Sequence, residues 1–198
     1  MHKRTPFAII MIINLVAILA LAACSNGDPT ADWSPFTIEQ EPAFDIQFRL
    51  PPAWLVDFAP SATAPGQWDV VLVPPRCTED QENEYDENCV TLVAHVKDEA
   101  IFNREEFLGI VSGDIPIDPA GTQRTELLSK DTFEAGELNV QRFNHKITTP
   151  IREMGMSIFY FETEGSHYTL MLNLPLDGQA HPVEDTVDLL LGTLEVLD

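Results

Sequence analysis

The chain is poor in basic residues. Against 32 aspartates and glutamates it carries 11 lysines and arginines, a formal net charge of −21 over 198 residues. A surface of that sign repels nucleic acid and anionic lipid headgroups, so neither is expected as a partner. It favours cationic partners, divalent ions or a saline habitat. Nucleophile motifs are missing too: there is no Gly-x-Ser-x-Gly and no Ser-x-x-Lys. The 10 glycines are scattered, so none builds a loop that cradles phosphate. His95, His145, His167 and His181 lack the i, i+4 spacing of a helical zinc pair. His95 and His167, on expected strands, read as packing or surface residues. Carboxylate pairs of the glycosidase kind are not discriminated among so many acids. The chain is expected not to be an enzyme and to need no cofactor.

Long hydrophobic runs are also scarce. The longest spans 7–21, interrupted only by Asn14. Lys3 and Arg4 precede it, and Leu21-Ala22-Ala23-Cys24 follows. A charged head, an apolar core and small residues at the cut site describe an export signal. The run is short for a spanning helix, which needs about 20 residues. Leu-Ala-Ala-Cys resembles the lipobox of bacterial lipoproteins. That resemblance implies that 1–23 are removed and that Cys24 carries a diacylglyceryl group and often an N-acyl chain. Several acyl chains anchor firmly, since each buried methylene contributes about 0.8 kcal/mol. Ser25 follows the lipidated position where an aspartate tends to retain such proteins in the inner membrane. The likeness to sorted lipoproteins therefore implies the outer membrane, facing the periplasm, in a cell with two membranes.

Removing 23 residues leaves 175, which suits one domain and a tether, and shifts the net charge from −21 to −23. Only three cysteines are present. Beyond Cys24, an exported chain keeps an even pair, Cys77 and Cys89. A disulfide between them closes a loop of 11 residues, worth about 3 kcal/mol on the chain-entropy model. A two-cysteine metal site is the rival, and it lacks further ligands nearby. Between the two cysteines, Glu79, Asp80, Glu82, Glu84, Asp86 and Glu87 crowd together. Asp80, Glu82, Glu84 and Asp86 alternate and can offer oxygen ligands to calcium. The loop lacks the turn glycine of an EF-hand, and Thr91 stands where that loop's closing glutamate belongs. A solvated acidic loop closed by a disulfide is the competing reading.

Residues 24–42 read as a flexible tether, with Pro29, Pro35, Pro42 and Gly27. As a coil it would reach about 25 Å. Trp33, Phe36 and Ile38 are large enough to dock on the domain that follows. That domain spans 43–198. Phe44, Ile46, Phe48 and Leu50 alternate with Asp45, Gln47 and Arg49, the period of a half-buried strand. Pro51-Pro52 ends it, and 59–66 reads as a loop. Strands are expected at 68–73 and 89–96. Asn103 caps a helix that carries Phe107, Leu108, Ile110 and Val111 and fades near Gly113. A meander of strands follows at 125–133, 137–148, 152–162 and 167–173. Met154, Met156 and Met171 fall on adjacent strands, where core packing is favoured over a thioether metal site. The last segment, 183–194, has helical spacing. Together these give an α+β fold, an antiparallel sheet packed by helices.

The order of elements resembles the PsbP/Mog1-like family. Asp45-Ile46-Gln47-Phe48-Arg49-Leu50-Pro51-Pro52-Ala53-Trp54 is similar to its opening strand, with a proline and then a tryptophan. Leu127-Leu128-Ser129 to Phe133, then Gly136 to Phe143, is similar to its central hairpin. Phe159-Tyr160-Phe161, then Gly165 to Leu170, is similar to the next, and a terminal amphipathic helix closes both. The acidic insert at 77–89 departs from the family pattern. The resemblance implies an α/β/α sandwich and non-catalytic work: contact with another protein, or assembly of membrane complexes. The expected function is a lipid-anchored binding or assembly domain that contacts another envelope protein. The alternative is a calcium-binding module centred on 77–89.

Overall fold

The computed structural model describes residues 27–39, 41, 44–61, 64–75, 89–97, 102–113, 123–176 and 181–197. The chain divides into two units, Met1–Asp32 and Trp33–Asp198. In the first, the Asp28 carboxylate accepts from the Thr30 backbone N–H at 2.9 Å and from the Thr30 hydroxyl at 2.8 Å, a tight Asx turn.

The second unit holds ten described strands and two described helices. The strands are β1 (Ser34–Phe36), β2 (Ile46–Leu50), β3 (Leu55–Pro60), β4 (Gln67–Val73), β5 (Val90–Val96), β6 (Arg124–Ala135), β7 (Leu138–Thr148), β8 (Glu153–Glu162), β9 (Ser166–Pro175) and β10 (Glu195–Val196). The helices are α1 (Arg104–Val111) and α2 (Pro182–Leu191). Seven strands form one antiparallel sheet in the order β3-β4-β5-β9-β8-β7-β6, and β1-β2-β10 form a small second sheet. After β5 the chain crosses through α1 to the far edge. It then returns inward strand by strand until β9 pairs with β5. Each return uses a short turn, which forces antiparallel neighbours. In the β6–β7 turn, Gly136 takes φ +60°, and a Cβ there would lie 2.4 Å from the Leu194 carbonyl oxygen.

Both faces of the large sheet are covered. One face presents Val70, Leu72, Leu92, Phe159, Phe161 and Leu170 to Ile46 and Phe48 of β2 and to Val187, Leu190 and Leu191 of α2. The other presents Phe143, Ile158 and Tyr160 to Val111 of α1. Successive β8 side chains point to opposite faces, so Ile158 to Phe161 reads as a continuous apolar run because both sides are buried. Each fully buried leucine or phenylalanine contributes about 1.5–3 kcal/mol.

The α+β expectation stands in its sheet-dominated form. The expected α/β/α layering differs on one face, where the small sheet shares the layer with α2. Part of the expected tether joins this domain: β1 pairs with β2, Phe36 packs on Phe48 at 5.2 Å, and Ile38 is buried. The expected loop at 59–66 starts later, because Ala59 and Pro60 still pair with Asp69 and Trp68. Proline is tolerated there because β3 is an edge strand among the described residues. α2 ends at Leu191 rather than at residue 194, and β10 then pairs with β2. α1 starts where expected, with the Asn103 side chain accepting from the Glu106 N–H at 3.1 Å.

Candidate functional site

Four chain breaks built from proline converge at one end of the sheet. Pro51-Pro52-Ala53-Trp54 turns between β2 and β3, with the Trp54 N–H donating to the Pro51 carbonyl at 3.3 Å. Ala53 adopts φ +68°, a left-handed conformation that disfavours a Cβ and aims the next residue sharply. Pro74 and Pro75 follow β4, Pro175 closes β9, and Pro182 opens α2 behind its N-cap His181. Trp54, Pro74, Pro75, Pro175, His181 and Pro182, with Val183 and Thr186, line a mainly apolar hollow of about 280 Å³. That size suits one or two side chains rather than a whole cofactor. A second hollow of about 420 Å³ shares Pro175 and His181 and adds Leu128, Asn144, Ser157, Leu176 and Glu184. Its polar wall is ordered: the Ser157 hydroxyl donates to the Asn144 side-chain oxygen at 2.8 Å, and the Asn144 amide donates to Ser129 at 2.9 Å. The two hollows adjoin around the start of α2, and Leu128 and Leu176 stand exposed beside them.

A different constellation sits on the face covered by α1. His95 of β5 pairs directly with His167 of β9. The Phe102 ring stacks on His95 at 4.4 Å and tilts over His167 at 5.0 Å. The Tyr160 hydroxyl lies 2.9 Å from His167 Nδ1, and a Glu162 carboxylate oxygen lies 3.3 Å from the same nitrogen. Glu162 also pairs with Lys97 at 3.6 Å and with Arg104 at 3.5 Å. Burial, reinforced by Glu162, pushes the Tyr160 phenol up to about 12. It therefore stays protonated near neutrality. Burial also holds both imidazoles below the usual histidine range. The group is ordered by packing and hydrogen bonds, and no open cavity faces it among the described hollows.

Cys24, Cys77, Asp80, Glu82, Glu84 and Asp86 lie outside the described residues. Cys89 is buried immediately before β5. Met154 is buried, and Met156 and Met171 pack against the α1-side core, as the core reading had it. His145 is buried, with its ring Nε2 2.7 Å from the Val111 carbonyl oxygen. Among the described residues, no three or more His, Cys, Asp or Glu side chains come together as a metal site. No helix of the described residues is long and apolar enough to cross a membrane. Sequence reasoning missed the His95–His167 pair, since its signal is the strand register. It also missed the cleft, whose only sequence trace is proline at the ends of successive elements.

Comparison with known proteins bears on the fold. No protein-family model and no curated protein matches the sequence. The solution structure of cyanobacterial PsbP (CyanoP) from Synechocystis sp. PCC 6803 superposes with a TM-score of 0.50 at 14% identity, over 83% of this chain and 92% of that one. The fold is PsbP-like. A crystal structure from Bacteroides thetaiotaomicron VPI-5482 gives a TM-score of 0.46 at 12% identity, over 83% of this chain and 48% of that one. At 14% identity the likeness to CyanoP extends to the architecture and not to any side chain. The segment read as an opening strand followed by proline and tryptophan forms β2 and the Pro51–Trp54 turn.

Proposed function

We propose that this chain is a lipid-anchored cell-envelope domain that binds another envelope protein and performs no catalysis. The observation that carries this reading is the Trp54–proline cleft beside the start of α2. It offers an apolar, pre-formed seat whose lining holds no cysteine, lysine or carboxylate, and His181 is its one titratable side chain, with no nucleophile beside it but the Thr186 hydroxyl. Rigid aromatic and proline surfaces bind side chains at low entropic cost. The PsbP-like fold adds no catalytic residue to it. Cys24 would hold the domain at the membrane, on the periplasmic side of the outer membrane in a cell with two membranes. A Cys77–Cys89 disulfide would close the acidic loop.

The test is a photo-activated cross-linking residue placed at Thr186 in cells that export the full chain. A single adduct to one envelope protein, lost with Trp54→Ala and weakened with Cys24→Ser, is expected. The absence of any adduct from the cleft, while a surface control position far from it reacts equally, would sink the reading.

The second reading is calcium binding at 77–89, favoured by the alternating acids at 80, 82, 84 and 86. It requires a saturable rise in melting temperature with calcium that Glu82→Gln with Glu84→Gln abolishes. An equal rise with monovalent salt at matched ionic strength would reduce it to charge screening.

A further inference from the structure

The start of α1 is held to the sheet by side chains that gather around one histidine pair, while at its far end the His145 ring of β7 lies 2.7 Å from the Val111 carbonyl. Phe102, just before the helix, packs on His95 and His167. Arg104, its first residue, pairs with Glu162 and lies 5.9 Å over the Tyr160 ring. Phe107, one turn on, packs on Tyr160 at 5.6 Å. Beneath it lie Phe143, Ile158 and Tyr160, with Val111 completing the cluster. We propose that α1 is an acid-released cover: protonation of the His95–His167 pair unseats the helix from the apolar sheet face it protects.

The geometry makes the two protonation states incompatible with one arrangement. Tyr160 and Glu162 compete for His167 Nδ1 and demand opposite things of it. The protonated phenol donates, so it needs a bare nitrogen; the carboxylate accepts, so it needs an N–H. At neutral pH the phenol donates to Nδ1 and Glu162 stays with Lys97 and Arg104. Once His167 is protonated, Nδ1–H turns to the Glu162 oxygen that Lys97 also uses, and the Tyr160 phenol loses its acceptor beneath Arg104 and Phe107 of α1. The neighbouring charges are divided at each ring, and burial tips the balance against protonation. His167 faces Lys97 and Arg104, which oppose its protonation, and Glu162, which favours it. His95 faces His167, which opposes its protonation, and Asp69 of β4, which favours it. Two imidazolium rings directly opposite on adjacent strands repel, and desolvation opposes both charges. With both groups depressed in the folded state, their contribution is complete above the ordinary histidine value of 6.5. It is lost as the pH falls below that value, because the open state takes up protons first. Histidine switches of this kind act through a local two-state element, and a two-turn helix seated by few residues is one.

Hydrogen exchange of the full-length protein in detergent, at about pH 7.5 and about pH 5.5, tests this. After correction for intrinsic rates, peptides covering 104–111 should exchange about tenfold faster in acid while β7–β8 peptides hold. The His95→Gln, His167→Gln double variant should show no acid effect. Equal protection of α1 at both pH values would overturn the proposal. So would loss across the whole sheet at once, or an acid effect that persists in the double variant. If that variant does not fold, NMR titration of the native protein decides. Phe102 and Phe107 ring signals must shift with the midpoint of the His95 and His167 rings, and a histidine titration that leaves them unmoved refutes the release.

Discussion

The Tyr168 hydroxyl donates to the Asp45 carboxylate at 2.7 Å, joining residues 123 positions apart. The same oxygen accepts from the Asp45 N–H at 3.0 Å, so β9 and the approach to β2 are tied at two points. Thr163 and Gly165, from the β8–β9 turn, donate to the other carboxylate oxygen at 2.6 and 3.3 Å. Burial, with the adjacent carboxylate, pushes the Tyr168 phenol well above the usual tyrosine range. Replacing Tyr168 by Phe removes a charge-assisted hydrogen bond and orphans an N–H. A loss of about 1–3 kcal/mol is expected. Urea unfolding should show a lower midpoint and an unchanged slope. An unchanged midpoint would mean that water replaces the hydroxyl at no cost.

Gly136→Ala should be among the most damaging single changes in the domain. The new Cβ would meet the Leu194 carbonyl oxygen at 2.4 Å, and the residue would have to hold φ +60°. Backbone on one side and a left-handed turn on the other leave no route of relief. About 2–4 kcal/mol is expected from strain and steric displacement together. Gly113→Ala serves as the control. It shares a positive φ, but its Cβ would meet only the Leu127 side chain at an ordinary 3.8 Å. Thermal unfolding of the two variants side by side checks the difference, and equal losses would show that the Leu194 contact is immaterial.

Alkali should destabilise the fold through Tyr160. Its phenol is raised in the folded state to about 12 from an ordinary value of 10.0. A raised acid favours the protonated folded form, so its contribution is complete below pH 10.0 and is lost as pH rises toward 12. Phenolate absorbance should show one class of tyrosine titrating near 10 and a later class that includes Tyr160. In Tyr160→Phe, stability should fall less steeply across that window. An ordinary titration of every tyrosine in the folded protein would contradict the burial described for this ring.

Cys77 and Cys89 should yield no free thiol in the exported protein under denaturing, non-reducing conditions. Reduction, or Cys89→Ser, should lower stability by about 3 kcal/mol. Peptide mapping should recover 77 and 89 in one linked fragment. Quantitative alkylation of both without reductant would refute the pairing.

The sequence was legible where one element's own pattern decides its state. Alternation at Ile46, Phe48 and Leu50 marked β2, and Asn103 marked the start of α1 by offering a side-chain oxygen to the first turn. Gly136 and Gly165 marked two of the meander's turns. It was illegible where a segment has no pattern of its own. β3, Leu55–Pro60, is largely exposed and ends in proline, so only its partner β4 makes it a strand. β1 and β10 are three and two residues long, below any period, and exist because β2 lies between them.

Composition and local pattern thus determined the acidic balance of the chain, the antiparallel meander and both described helices, because each follows from residues close in sequence. Which elements become neighbours was decided by the tertiary structure. β9 had to fold back between β5 and β8 before His95 could face His167 or Tyr160 could reach Nδ1. The cleft needed Trp54, Pro74, Pro175 and Pro182, contributed by four separate stretches of chain, to meet at one end of the sheet. Burial of apolar area is non-directional and rewards many pairings alike. The register that selects among them rests on hydrogen bonds and packing that form only once the whole sheet is assembled.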